Sequence, residues 1–117
     1  MKYLCLIYHD EKTVDTLAKV ELDALTKECL AFDETLKERA RLVTCERLQS
    51  VETATTLRLR GGKVLVTDGP FAETKEQLAG FYLIEAADLD DAIRVASRIP
   101  PARFGCVEVR PVMEYAD

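Results

Sequence analysis

Two short segments constrain this chain more than anything else in it. Residues 2–9 read Lys-Tyr-Leu-Cys-Leu-Ile-Tyr-His, and residues 79–86 read Ala-Gly-Phe-Tyr-Leu-Ile-Glu-Ala. Each is rich in aromatic, β-branched and aliphatic residues and too short for a core helix, so each predicts a strand. Successive strand residues point to opposite faces of a sheet, and here both faces are apolar. Tyr3, Cys5 and Ile7 alternate with Leu4, Leu6 and Tyr8, and Phe81 and Leu83 with Tyr82 and Ile84. Such strands belong in the middle of a sheet that is covered on both sides.

The intervening segments supply the remaining elements. Leu22, Leu25, Cys29, Phe32, Leu36 and Ala40 recur at steps of three and four. With Asp23/Lys27 and Asp33/Lys37 as i,i+4 pairs on the outer side, this predicts one amphipathic helix over roughly 16–41. A short strand is expected at 42–47. Residues 55–60 and 63–67 read as a hairpin, because Gly61-Gly62 between them supplies the positive φ angles of a two-residue turn. Asp88 reads as the N-cap of a second helix with Asp91 in its first turn. Leu89, Ala92, Ile93, Ala96 and Ile99 form its apolar face before Pro100-Pro101 ends it. A last strand covers 106–113, where Val107, Val109 and Met113 alternate with Glu108, Arg110 and Val112.

This order predicts an α+β fold, a ferredoxin-like split β-α-β with an inserted β-hairpin, in a single domain over residues 1–117. One layer of helices covers only one face of the sheet. The other face would be left as an apolar patch, and the expected remedy is a homodimer paired through the sheet face.

Charge and apolar run length narrow the function classes. A net charge of −5 argues against direct nucleic-acid binding, which needs clustered cations. No apolar run approaches the ~20 residues that span a bilayer, so neither a membrane anchor nor a signal peptide is expected. Cys5, Cys29, Cys45 and Cys106 stand singly in apolar settings with no C-x-x-C pair. They are expected to be reduced, buried thiols of a cytoplasmic protein, with no metal and no cofactor.

Antiparallel pairing of the two central strands would set His9-Asp10-Glu11 beside the segment from Asp68 to Gln77, with Arg103 and Phe104 arriving at the same end. A cleft there would hold an imidazole, carboxylates and cations. His9, the only histidine, is the candidate acid or base, with Asp68 as the second candidate catalytic group. Glu73, Lys75, Glu76 and Arg110 are the candidate ligand-binding residues. Two plainer readings stand beside these: His9 as a half-exposed strand-end residue, and Asp68 as a turn residue bonded to its own backbone.

The run Asp68-Gly-Pro-Phe-Ala-Glu-Thr-Lys-Glu-Gln-Leu-Ala-Gly-Phe-Tyr82 resembles the YCII-related family, in its D-G-P-F branch. The likeness extends from the Met1-Lys-Tyr-Leu-Cys-Leu-Ile-Tyr8 opening to the Val107-Glu-Val-Arg-Pro111 ending. It implies a dimeric α+β barrel of ferredoxin-like subunits joined through their sheets. In the wider group, some members pair a histidine on the first helix with an aspartate just before a proline that ends the second, and act on small, often aromatic, molecules. The corresponding positions hold Cys29 and Ile99 here, so the resemblance carries over the D-G-P-F loop alone. It also implies a regulatory accessory role beside extracytoplasmic-function sigma factors. The functions in view are a small-molecule-binding or accessory homodimer and a metal-free small-molecule enzyme using His9 and the loop.

Overall fold

A computed structural model describes residues 1–115. The strands are β1 (Lys2–His9), β2 (Leu42–Arg47), β3 (Thr55–Arg60), β4 (Lys63–Asp68), β5 (Gln77–Glu85) and β6 (Gly105–Pro111). The helices are α1 (Glu11–Asp15), α2 (Lys19–Glu38) and α3 (Leu89–Ala96), with 3-10 turns at Val51–Thr53 and Pro100–Phe104. Strands β2, β5, β1 and β6 form an antiparallel sheet in that order, which is the ferredoxin-like arrangement. The β3–β4 hairpin forms a separate two-stranded sheet.

The two doubly apolar segments are the central pair, with Cys5 opposite Tyr82 and Leu4 opposite Leu83. Tyr3, Cys5, Ile7, Tyr82 and Ile84 are buried beneath Leu36 of α2 and Ala92, Val95, Ala96 and Ile99 from α3 and its end. Both long helices therefore lie on one face. On the other face Leu4, Leu6, Tyr8, Phe81 and Leu83 form a half-buried stripe, bordered by Glu46 on β2 and by Glu108 and Arg110 on β6. No helix is long and apolar enough to cross a membrane among the described residues.

Several local expectations are corrected. The single helix expected over 16–41 is two, because Asp10 caps a first turn through Lys12 N (3.0 Å) and Ala18 is extended. Asp23 pairs with Lys19 and Lys37 with Glu34, while Asp33 turns inward to Tyr82. In α3 the N-cap at Asp88 stands, accepting from Asp91 N at 2.9 Å. The buried face of that helix, however, uses Val95, whereas Leu89 and Ile93 are about half exposed. The last strand stops at Pro111, and Met113 is exposed. Cys106 is exposed as well, unlike the buried Cys5 and Cys29, and all four thiols are free.

Candidate functional site

The register places His9 opposite Gln77 on one side and Gly105 on the other. The expected meeting of the β1 end, the loop end and the approach to the last strand is therefore present. Gly105 is needed there for close packing: a Cβ would lie 1.9 Å from Tyr8 O and 2.8 Å from both His9 Cα and Glu76 Oε2. The Glu76 carboxylate thus rests beside His9, and its Oε1 accepts a weak bond from Cys106 Sγ at 3.8 Å.

The remaining sequence candidates are dispersed. Glu73 and Lys75 are exposed on the loop, whose backbone is tied by Thr74 Oγ1 to Glu76 O (2.6 Å) and Gln77 Nε2 to Thr74 O (2.7 Å). Asp68 is exposed at the root of the hairpin, paired in register with Thr55. The turn after it is closed by Gly69 N to Ala54 O (2.7 Å) and Thr56 Oγ1 to Gly69 O (2.8 Å) rather than by the aspartate side chain. Gly69, at φ 99°, takes the left-handed backbone this turn requires. Arg110 lies opposite Leu4 on the open sheet face. At ~3.3 Å per residue it is about 17 Å along β6 from the His9 end, so the two do not share a site.

What the fold builds instead is a cleft of about 760 Å3 between the helical face of the sheet and the N-terminal half of α2. Ile7, His9, Gly80 and Tyr82 form its floor, and Leu22, Leu25, Thr26 and Cys29 its roof. Glu11, Val14 and Ser50 close one end, with Pro101 and Phe104 on another side. The floor is open because Gly80 has no side chain, and it can have none: a Cβ there would lie 2.6 Å from the carbonyl oxygen of Glu46. Glu11 acts as a clamp at the end wall. Its carboxylate accepts from Ser50 Oγ and Val51 N, both at 2.9 Å, while its own amide donates to Gln77 Oε1.

Two sets of polar groups bear on what this cleft can do. At one end His9 Nδ1 is buried with no hydrogen-bond partner among the described residues. Deeper in, the Tyr82 hydroxyl donates to the Asp33 carboxylate, and Phe32 packs edge-on against the Tyr82 ring at 5.7 Å. Burial, and then the Asp33 carboxylate, push the phenol well above its ordinary value, so Tyr82 is a neutral hydrogen-bonding group. Burial likewise raises the Cys29 thiol, partly offset by Arg47, and the Cys45 thiol, to which Asp33 adds. Neither is a ready thiolate. On the rim Arg103 reaches Glu28 of α2 at 2.5 Å and lies over the Phe104 ring at 5.5 Å from its centroid, fixing that wall to the roof.

Of the sequence candidates, then, the cleft contains His9 alone, and its other polar lining residues include Asp33, Tyr82, Cys29, Cys45 and Arg47 besides Glu11, Asp15, Thr26, Glu46 and Ser50. One signal pointed toward them. Asp33 follows Phe32 at the edge of the apolar stripe of α2, where a polar group can turn either way. The YCII-related domain profile matches residues 1–116 of the chain. A protein of Rhizobium meliloti (strain 1021) described as uncharacterized protein R00369 is 40% identical over 117 residues, covering 98% of this chain and 94% of its own length. With the D-G-P-F run at its expected place between hairpin and central strand, the chain belongs to the YCII-related family.

Proposed function

We propose that this protein binds a small molecule in the cleft beneath α2, and does so as a homodimer paired through the open sheet face. The observation that carries the ligand reading is the cleft of about 760 Å3, apolar along its walls, with the unpartnered His9 Nδ1 at one end and the Tyr82–Asp33 pair deeper in. Apolar walls with a few convergent polar groups are the usual make-up of a small-molecule site. The stripe of Leu4, Leu6, Tyr8, Phe81 and Leu83 supports the dimer, because pairing two copies would remove it from water. An accessory role beside a sigma factor would use the bound state as its signal.

Catalysis by general acid and base is the second reading. It is favoured by one observation: an imidazole and a phenol–carboxylate pair face the same cavity. The D-G-P-F loop residues first expected to assist do not line that cavity; Glu76 lies beside His9 but outside the lining.

A fragment library screened by thermal shift, with hits ranked by affinity, separates the cleft from the loop. Leu25→Trp, which fills the roof, and His9→Gln should each weaken binding about tenfold or more, while Lys75→Ala leaves it unchanged. Hits indifferent to Leu25→Trp and His9→Gln, yet lost with Lys75→Ala or Asp68→Ala, would move the site back to the loop.

A further inference from the structure

The β3–β4 hairpin stands apart from the body of the protein. Among the described residues its strands pair only with each other, and its root is held by the Gly69 N to Ala54 O and Thr56 Oγ1 to Gly69 O bonds. Leu57 sits across from Val66 and Leu59 across from Val64, so these four side chains share one face. Each is at least 59% exposed. Six-residue strands carry the Gly61-Gly62 tip roughly 20 Å from the root. The Cα radius of gyration, 16.3 Å, exceeds the ~13 Å of a compact chain of this length, as a projecting arm requires. A two-stranded hairpin is marginal at best in water, and a bare apolar face makes it a surface awaiting a partner.

Charge identifies the partner. The opposite face of the arm carries Arg58, Arg60 and Lys63 toward the tip, with Leu65, Thr56 and Thr67, and no carboxylate among them; Asp68 lies at the root, on the apolar face. The whole chain has net charge −5, so everything outside the arm is more acidic still. A second copy therefore offers both things the arm lacks. It presents an acidic surface, including Glu46 and Glu108 at the borders of the open sheet face, and exposed apolar side chains at Val43 and Leu48 along and just past its β2 edge. Nucleic acid would engage the cations and leave Leu57, Leu59, Val64 and Val66 in water. An anionic membrane would repel the rest of the chain.

We propose that the β3–β4 hairpin is an intermolecular arm, whose Leu57, Leu59, Val64 and Val66 face packs on a second copy of this chain while Arg58, Arg60 and Lys63 meet that copy's carboxylates. By two-fold symmetry each copy gives one arm and receives one, extending the interface beyond the sheet face. The inference rests on the dimer proposed above, and variants at the two surfaces test them separately.

Light scattering and sedimentation equilibrium on the full chain, with hydrogen exchange of the arm amides, read both. For the wild type, protection of residues 57–59 and 64–66 should rise with protein concentration along with the dimer fraction. Replacing Leu57, Leu59, Val64 and Val66 together by Ser should abolish that protection and raise the dimer dissociation constant at least about tenfold, with the helical circular dichroism of the body unchanged. Arg58→Glu with Arg60→Glu, which keeps the apolar face, should also weaken the dimer and reduce its salt dependence. If the Ser variant dimerises as the wild type does, the arm proposal falls and the sheet-face dimer stands. If folded Leu6→Glu still dimerises while the Ser variant does not, the sheet face falls and the arm stands. A monomeric wild type with an unprotected arm overturns both. Arm-dependent capture by phosphatidylserine vesicles or by duplex DNA, with dimerisation unaffected, assigns the arm to another partner and overturns this one.

Discussion

The β1–β5 pair and the β3–β4 pair are both antiparallel and both apolar, yet one forms the centre of the core and the other is bare. Ile84 and Cys5 are fully buried, whereas Leu59 is 71% exposed. The difference lies in what adjoins them. Strands β1 and β5 are flanked by β6 and β2 and roofed by α2 and α3, while among the described residues the hairpin has no third strand and no helix over it. Apolar alternation reports that a strand is meant to be covered; it does not say whether the cover comes from the same chain.

Truncation should show the contrast at full size. Ile84→Ala removes three carbons from a fully buried site and should cost about 3–4 kcal/mol in chemical denaturation, from lost transfer energy and the cavity left behind. Val66→Ala in the arm should change the stability of the dilute monomer by less than about 0.5 kcal/mol, as at other exposed sites. Equal costs at the two positions in the dilute chain would mean that the arm is already packed on its own body.

A smaller effect is expected where the body is closely packed without a side chain. Gly80→Ala forces the Glu46 carbonyl of β2 away from β5, at roughly 1–3 kcal/mol, and should narrow the cleft as it does so. Ligand affinity and stability should fall together. No such coupling is expected at Gly62, where nothing lies within 4 Å of an added Cβ.

The body is also pinned by charge, and this gives it a pH dependence. Asp91 accepts from the Ala87 amide (2.9 Å) and pairs with Arg41 (2.6 Å), which together hold its carboxyl below the ordinary carboxylate range. The folded state thus favours the ionised form. The stabilisation is complete above the unfolded value near pH ~4 and is lost as pH falls through the lowered folded value. Asp91→Asn should therefore unfold more easily than wild type at neutral pH, and the gap should close on acidification. A gap that stays constant down to pH 2 would rule out this linkage.

Much of the fold was legible because it rests on local patterns. The central strands, the Gly-Gly turn and the Asp88 cap are each written in a few adjacent residues. The site was legible only in part. Strand pairing brings Glu76 to His9, but the cleft itself depends on how α2 rides over the sheet and on Gly80 leaving its floor empty. The inward turn of Asp33 reverses its expected pairing with Lys37, because the Tyr82 hydroxyl offers a donor that periodicity alone does not register. Arg110 was carried along by its charge; its place opposite Leu4 follows from register.

The smallest expected effect compares backbone rather than side chains. In the arm, the positions with positive φ, Gly61 at 56° and Gly62 at 76°, are filled by the residue that adopts them without strain. In the body one such position is filled by Ala40, at φ 55°, just past the end of α2. The bonds Arg41 N to Leu36 O (2.9 Å) and Ala40 N to Lys37 O (3.0 Å) are those of a Schellman motif, in which this position is usually glycine. The contacts closing the helix outweigh the left-handed penalty on alanine, which is of the order of 1 kcal/mol. Ala40→Gly relieves that penalty but gives the unfolded chain more freedom, so the net gain should be about 0.5 kcal/mol, or a rise of a few degrees in Tm. The opposite change in the arm, Gly61→Ala, should leave the Tm of the dilute monomer unmoved and weaken the dimer instead. A loss of stability from Ala40→Gly would show that the αL strain there is already relieved by packing of its methyl group.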